Sequence, residues 1–233
     1  MDLEPVFSIP SPPLVPIVGQ VSGYPVRRIF CVGRNYAAHA AEMGNEVDRE
    51  APFYFTKSAH ALCLDGVEIA YPLESRDVHY EIEVVVALGS AAFRVSQESA
   101  LAHVFGYACG IDLTRRDLQA AAKDKRRPWD LGKDFEASAI LGPIMTAAEF
   151  GPPSDQAIRL MHNEKTAQEA RLSEMVWSVP EIIAHLSRFY HLGPGDLIYT
   201  GTPAGVGPVA PGSVLRGEID GLAPVSVTIG APD

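Results

Sequence analysis

Glu81 and Glu83 stand two residues apart in HYEIEVVVAL, residues 79–88, a run rich in the β-branched side chains that favour strands. Side chains two apart on a strand point to one face, so both carboxylates share a face. Ile82, Val84, Val86 and Leu88 make the opposite face unbroken hydrocarbon, which places the acids at the rim of a core. Like charges so placed repel unless a cation lies between them. An all-oxygen donor set selects Mg2+, Mn2+ or Ca2+ over zinc and calls for a third ligand. That ligand is Asp112, the single carboxylate of the apolar run 104–113. It precedes Thr114, placed to cap a helix, and Asp117, placed in that helix's first turn. The alternative is a pair of solvated glutamates on an edge strand, where charge deters aggregation. Asp112 at a strand-to-helix corner favours the three-carboxylate site.

Residues 28–32 read as a short strand, 33–35 as a turn, and 36 to about 43 as a helix capped by Asn35. His39 and Glu42 lie three apart on that helix, hence on one face, where a carboxylate can orient an imidazole for base work. The pair also fits an incidental surface contact. The polar, irregular stretch 44–50 that follows reads as a candidate mobile lid.

Five segments, residues 28–44, 79–89, 107–119, 127–133 and 197–209, resemble the fumarylacetoacetate hydrolase family, in the family's order and over nearly the whole chain. The resemblance implies a mainly β fold with short helices (α+β), a mixed β-roll or β-sandwich. It also implies a single catalytic domain over 26–233 and a homodimer, while residues 1–25, rich in proline and without periodicity, read as an N-terminal arm laid over the domain or across a partner. The implied reaction is metal-dependent hydrolysis of a carbon–carbon bond in a small dicarboxylic 2,4-dioxo acid from aromatic (gentisate) breakdown, fumarylpyruvate or maleylpyruvate. General acylpyruvate hydrolysis, oxaloacetate decarboxylation and isomerisation are the family alternatives. Glu81, Glu83 and Asp112 match the family's metal carboxylates, His39 and Glu42 its water-activating pair, and Lys133 the lysine that stabilises developing negative charge. Arg116, Gln119 and Thr202 match substrate-side positions, while Arg34 and Arg49 are the candidates for a distal substrate carboxylate. His79 receives no metal role. Without the resemblance Lys133 reads as a surface lysine and Arg116 as half of a helix-face ion pair. The chain departs from the family pattern at Ser58, where many relatives have proline, at Ser213, at residues 162–165, and at Asp134. Asp134 either pairs with the adjacent Lys133 or faces solvent.

The chain has 233 residues, enough for one domain with a large core. With 29 acidic and 19 basic residues its formal charge of −10 disfavours nucleic acid and anionic membranes, which bind basic patches. A dianionic substrate must then be drawn by local charge: the metal, Arg34, Lys57, Arg116 and Lys133. Salt screens more distant charge beyond about 10 Å. No apolar run is long enough to span a membrane and none follows a basic start as in a signal peptide, so a cytoplasmic location is expected. Cys31, Cys63 and Cys109 read as buried thiols rather than disulfides or zinc ligands. Residues 178–190 read as a second helix, with Ser178 and Glu181 at capping-box spacing and Pro180 in its first turn. Residues 194–196 form a turn into a strand over 197–200, and 201–208 form a Gly-rich loop without the Lys-Ser/Thr of a nucleotide-binding P-loop.

Overall fold

The valine-rich run forms the strand Ile82–Leu88 in the computed structural model, which describes residues 5–44, 46 and 49–233. Branched side chains pack well from a pleated surface, and every residue of this strand is buried. Val104–Asp112 flanks it on one side and Asp196–Tyr199 on the other, both antiparallel. The sheet continues outward through Ala139–Leu141 and Leu62–Leu64 on the first flank, and through Arg28–Gly33 and Phe53–Lys57 on the second. Met145–Thr146 also pairs with Val104–Asp112. Asp196–Tyr199 runs parallel to Arg28–Gly33 and Ala139–Leu141 parallel to Leu62–Leu64, so this eight-stranded sheet is mixed. A second sheet has the order Lys165–Arg171, Ala157–His162, Val214–Ile219, Val225–Ile229, Val67–Ile69. The fold is mainly β, with short helices that include Ala37–Glu42, Arg116–Asp124, Asp130–Lys133 and Val179–Leu186.

The two sheets bury one face of the central strand between them. Ile82, Val84, Val86 and Leu88 share a core cluster with Ile158, Leu160, Leu215, Val225 and Val227 of the second sheet. Val85 and Ala87, on the face that carries the acids, belong to a second cluster with Ile29, Leu197 and Tyr199. Val15 and Tyr24 from the paired strands Leu14–Pro16 and Gly23–Pro25 complete that cluster. The acids therefore sit within a buried face rather than at its solvent rim, with Glu81 5% and Glu83 1% exposed.

Three local expectations are corrected. The strand expected over 79–88 divides at Glu81, because the chain changes hydrogen-bond partners there. Val78–Tyr80 joins Thr114–Arg115 and Gly207–Pro208 in a small separate sheet. Ile82 N donates instead to the Gln168 side chain at 3.0 Å. Neither Asn35 nor Thr114 caps a helix, since Tyr36 and Arg115 take the cap positions and both polar side chains turn to tertiary partners. The capping box at Ser178 and Glu181 forms as expected, but its helix stops at Leu186.

Asp196 anchors the strand beside Arg28–Gly33. Its buried carboxylate accepts hydrogen bonds from both Arg27 and Arg28, at 2.7 to 3.0 Å. Burial alone would raise its pKa, but these bonds hold it below the usual carboxylate range. All three cysteines are free. No helix among the described residues is long and apolar enough to cross a membrane.

Candidate active site

Ile82 pairs with Ile111 across the antiparallel ladder, so Glu81 and Asp112 lie opposite each other, and Asp112 N donates to Glu81 O at 2.8 Å. Glu83 follows two residues along, on the same face. One carboxylate oxygen from each of the three acids lies within 4.8 Å of the others. The register thus brings together the three residues expected from spacing.

Three buried cations surround these acids. Lys133 Nζ donates to Glu81 Oε2 at 2.8 Å, Asp112 Oδ2 at 2.8 Å and Thr114 Oγ1 at 2.6 Å. Arg116 donates to Glu81 Oε1 and, at 2.8 Å, to Gln119 Oε1. Lys57 Nζ lies 2.9 Å from Asp112 Oδ1, but its hydrogen bonds run to Leu113 O, Lys133 O and Ser138 Oγ. Asp112 Oδ1 consequently accepts no hydrogen bond although it is buried. Burial would raise the pKa of Glu81, yet Lys133 and Arg116 hold it below the usual range. Glu83 forms no ion pair among the described residues and accepts only Gly201 N, at 2.6 Å. Burial pushes its pKa well up, and the charges of Asp112 and Glu81 add to the rise. A hard divalent cation fits this set: the donors are all oxygen, Asp112 Oδ1 accepts no hydrogen bond, and Glu83 lacks a compensating charge.

His39 is buried on the short helix Ala37–Glu42, with Nδ1 3.2 Å from Glu42 Oε2. An ionised carboxylate only accepts, so Nδ1 donates, and in the neutral imidazole Nε2 is then the acceptor. Gly205 N braces Glu42 at 3.0 Å from Oε1 and 3.2 Å from Oε2. Gly205 has φ +97°, and a Cβ there would lie 2.2 Å from Ala167 O, so only glycine fits this brace. The loop that holds Glu83 through Gly201 thus also holds Glu42 through Gly205. Asn35, freed from capping, donates to Thr200 O at 2.8 Å and to Trp177 O at 2.9 Å, and so ties the turn before His39 to this loop.

His39, Glu81, Glu83, Arg116, Gln119, Lys133, Thr202 and Arg34 all line one cleft. Asp112 is fully buried behind it. Arg34 takes φ +58°, a left-handed conformation uncommon for a residue with a side chain. Asp134 does not pair with Lys133; its Oδ1 accepts Ser58 N at 2.8 Å. Proline at 58 would lack that N–H, so these two departures from the family pattern complement each other. His79 lies outside the carboxylate group and its Nε2 is 2.9 Å from Asp77 Oδ1. Arg49 is exposed, and of the stretch expected to act as a lid, Asn45, Val47 and Asp48 lie outside the described residues.

Sequence reasoning missed Gln168 and Lys123. Gln168, buried in Lys165–Arg171, accepts Ile82 N and donates to Thr202 Oγ1 at 2.9 Å and Pro203 O at 2.8 Å. No local pattern marks it. Lys123 lines the cleft from Arg116–Asp124. Its signal was available, since Arg116, Gln119 and Lys123 follow i, i+3, i+7 spacing along one helix face. Gln168→Leu leaves Ile82 N without an acceptor and is expected to lower unfolding free energy by about 1–3 kcal/mol. Urea denaturation measures this, and unchanged stability would deny Gln168 its bridging role.

The family model for the fumarylacetoacetate (FAA) hydrolase C-terminal domain matches residues 28–230. A fumarylpyruvate hydrolase of Ralstonia sp. is 48% identical over 191 residues, covering 81% of this chain and 98% of that protein. An oxaloacetate tautomerase of Escherichia coli is 37% identical over 204 residues, 87% of this chain and 93% of that protein. The crystal structure of fumarylpyruvate hydrolase from Pseudomonas aeruginosa in complex with Mn2+ and pyruvate aligns with a TM-score of 0.95 at 44% identity, covering 98% of this chain and all of that one.

Proposed function

The chain belongs to the fumarylacetoacetate hydrolase family, and from that premise we propose that it hydrolyses the carbon–carbon bond of a dicarboxylic 2,4-dioxo acid, fumarylpyruvate or its cis isomer maleylpyruvate. The observation that carries this reading is that His39, oriented by Glu42, faces the same cleft as Glu81 and Glu83. A base for water and a cation site for a chelating substrate then address one molecule. The Ralstonia relative and the Pseudomonas structure, both fumarylpyruvate hydrolases, support the substrate class.

Glu81, Glu83 and Asp112 would hold a divalent cation, Mg2+ or Mn2+, which when bound would supply Lewis-acid polarisation and orientation of the dioxo acid's oxygens. His39 Nε2 takes a proton from water as the water oxygen attacks C4. The C3–C4 bond then breaks, its electron pair passing to the pyruvate fragment as an enolate, and the imidazolium returns the proton to C3. The other fragment leaves as fumarate or maleate. Lys133 fixes the Glu81 and Asp112 carboxylates through its two hydrogen bonds to them, and its positive charge favours the enolate. Gln119, with Oε1 occupied by Arg116, retains its amide N–H groups for the substrate. Thr202, whose Oγ1 accepts Gln168, retains its hydroxyl proton for the same purpose.

Incubating Mn2+-loaded protein with fumarylpyruvate, maleylpyruvate, acetylpyruvate and oxaloacetate, followed by mass spectrometry of products, tests the reading. The expected result is fumarate or maleate together with pyruvate. The second reading, oxaloacetate tautomerisation or decarboxylation, is favoured by the 37% identical tautomerase. Those reactions also pass through an enolate but need no attacking water, so the His39–Glu42 pair favours hydrolysis. Conversion of oxaloacetate alone would select the second reading.

A further inference from the structure

Two kinds of cation face the cleft. Arg116 and Lys133 are held by the acids of the site itself. Arg34 and Lys123 line the same cleft, yet among the described residues neither forms an ion pair with an acid. The half-buried Lys123 ammonium lies 4.8 Å from the centroid of the Trp129 ring, a cation–π contact that holds it at the cleft wall. Phe55, 6.3 Å from Trp129 between centroids, continues that wall as an apolar surface. Burial, followed by the neighbouring charges of Arg116 and Arg34, lowers the Lys123 pKa, so like charges converge there and an anion would relieve them.

We propose that Lys123 binds the distal carboxylate of the substrate and so sets a preference for dicarboxylic over monocarboxylic dioxo acids. This inference rests on the hydrolase reading above. Arg116 and Gln119 serve the end of the substrate at the three acids. Lys123 lies on the same helix face seven residues beyond Arg116 and four beyond Gln119, about 10 Å and about 6 Å along the axis. One helix thereby addresses both ends of an extended seven-carbon diacid, with the conjugated chain between them lying against Phe55 and Trp129. Acetylpyruvate, with five carbons and no second carboxylate, has nothing to offer Lys123.

The test compares kcat/KM for fumarylpyruvate and acetylpyruvate in the parent, Lys123→Met, Lys123→Arg and Arg34→Met. Calorimetric binding of fumarate and of its monoanionic analogue crotonate is measured on the same Mn2+-loaded proteins. Lys123→Met is expected to lower kcat/KM for fumarylpyruvate about tenfold more than for acetylpyruvate, mainly through KM, and to weaken fumarate binding about tenfold while crotonate changes little. Lys123→Arg, which keeps the charge, should recover most of both. An unchanged substrate ratio in Lys123→Met overturns the proposal, as does loss of the preference in Arg34→Met alone. If the parent cleaves neither dioxo acid, the hydrolase reading falls by itself. Fumarate binding that still depends on Lys123 would then uphold the subsite, and binding independent of it would overturn the subsite as well.

Discussion

Chelation is expected to abolish cleavage of the dioxo acid and added Mn2+ or Mg2+ to restore it, the largest effect expected of the protein. Three carboxylates with no histidine or cysteine ligand bind a hard cation mainly by charge and release it readily. Glu83→Ala should lose more Mn2+ affinity than the roughly 10–100-fold typical of changes outside the ligand set. His79→Ala should lose far less, because His79 turns to Asp77 and lies outside the acid group. A calorimetric titration in which both variants lose equally would overturn the ligand assignment. The titration should also be pH-dependent. Burial and the charges of Asp112 and Glu81 keep Glu83 protonated to higher pH than an ordinary carboxylate. Binding therefore expels a proton, and affinity rises as pH rises through that elevated pKa and weakens below it. Full turnover by metal-free protein would remove the cation from the account altogether.

The second large effect separates water activation from metal binding. His39→Ala removes the group placed to take the water proton, and positioned general bases typically contribute 10²–10⁴-fold. Loss of kcat for fumarylpyruvate within that range is expected, with Mn2+ binding close to the parent's, since His39 is not among the three acids. Glu42→Gln should fall in the same direction but less far. A glutamine oxygen can still accept Gly205 N, while the negative charge that favours an Nδ1 donor is gone. If both variants keep their action on oxaloacetate while losing fumarylpyruvate cleavage, the division of labour holds. Parallel loss of both activities would instead make Ala37–Glu42 a structural support.

The parts of this site legible in the sequence are those whose geometry is local. Glu81 and Glu83 share a face because a strand has period two, and His39 and Glu42 meet because three residues span most of a helical turn. Asp112 was legible as the single acid of its apolar run. Lys133 carried no local signal and was found only through the resemblance to the family. Gln168 had none either, because its bond to Ile82 N spans 86 positions in sequence and depends on how the second sheet packs. The same long-range bond accounts for the strand break at Glu81 that periodicity missed. Asn35 and Thr114 depart from the expected cap role for a related reason. Each had the right side chain for a helix cap, but Thr200 O, Trp177 O and Lys133 Nζ offered tertiary partners that local reasoning does not contain. The mixed β fold followed from the family resemblance, whereas the burial of both faces of Ile82–Leu88 did not follow from the glutamates on one of them.

Cleavage of fumarylpyruvate by the Mn2+-loaded protein in heavy-oxygen water, with the products weighed by mass spectrometry, tests the central claim most directly. Attack of His39-activated water on C4 predicts fumarate that carries solvent oxygen in its new carboxylate, formed in step with pyruvate. Consumption of the dioxo acid without fumarate, or fumarate formed without solvent oxygen, would contradict it.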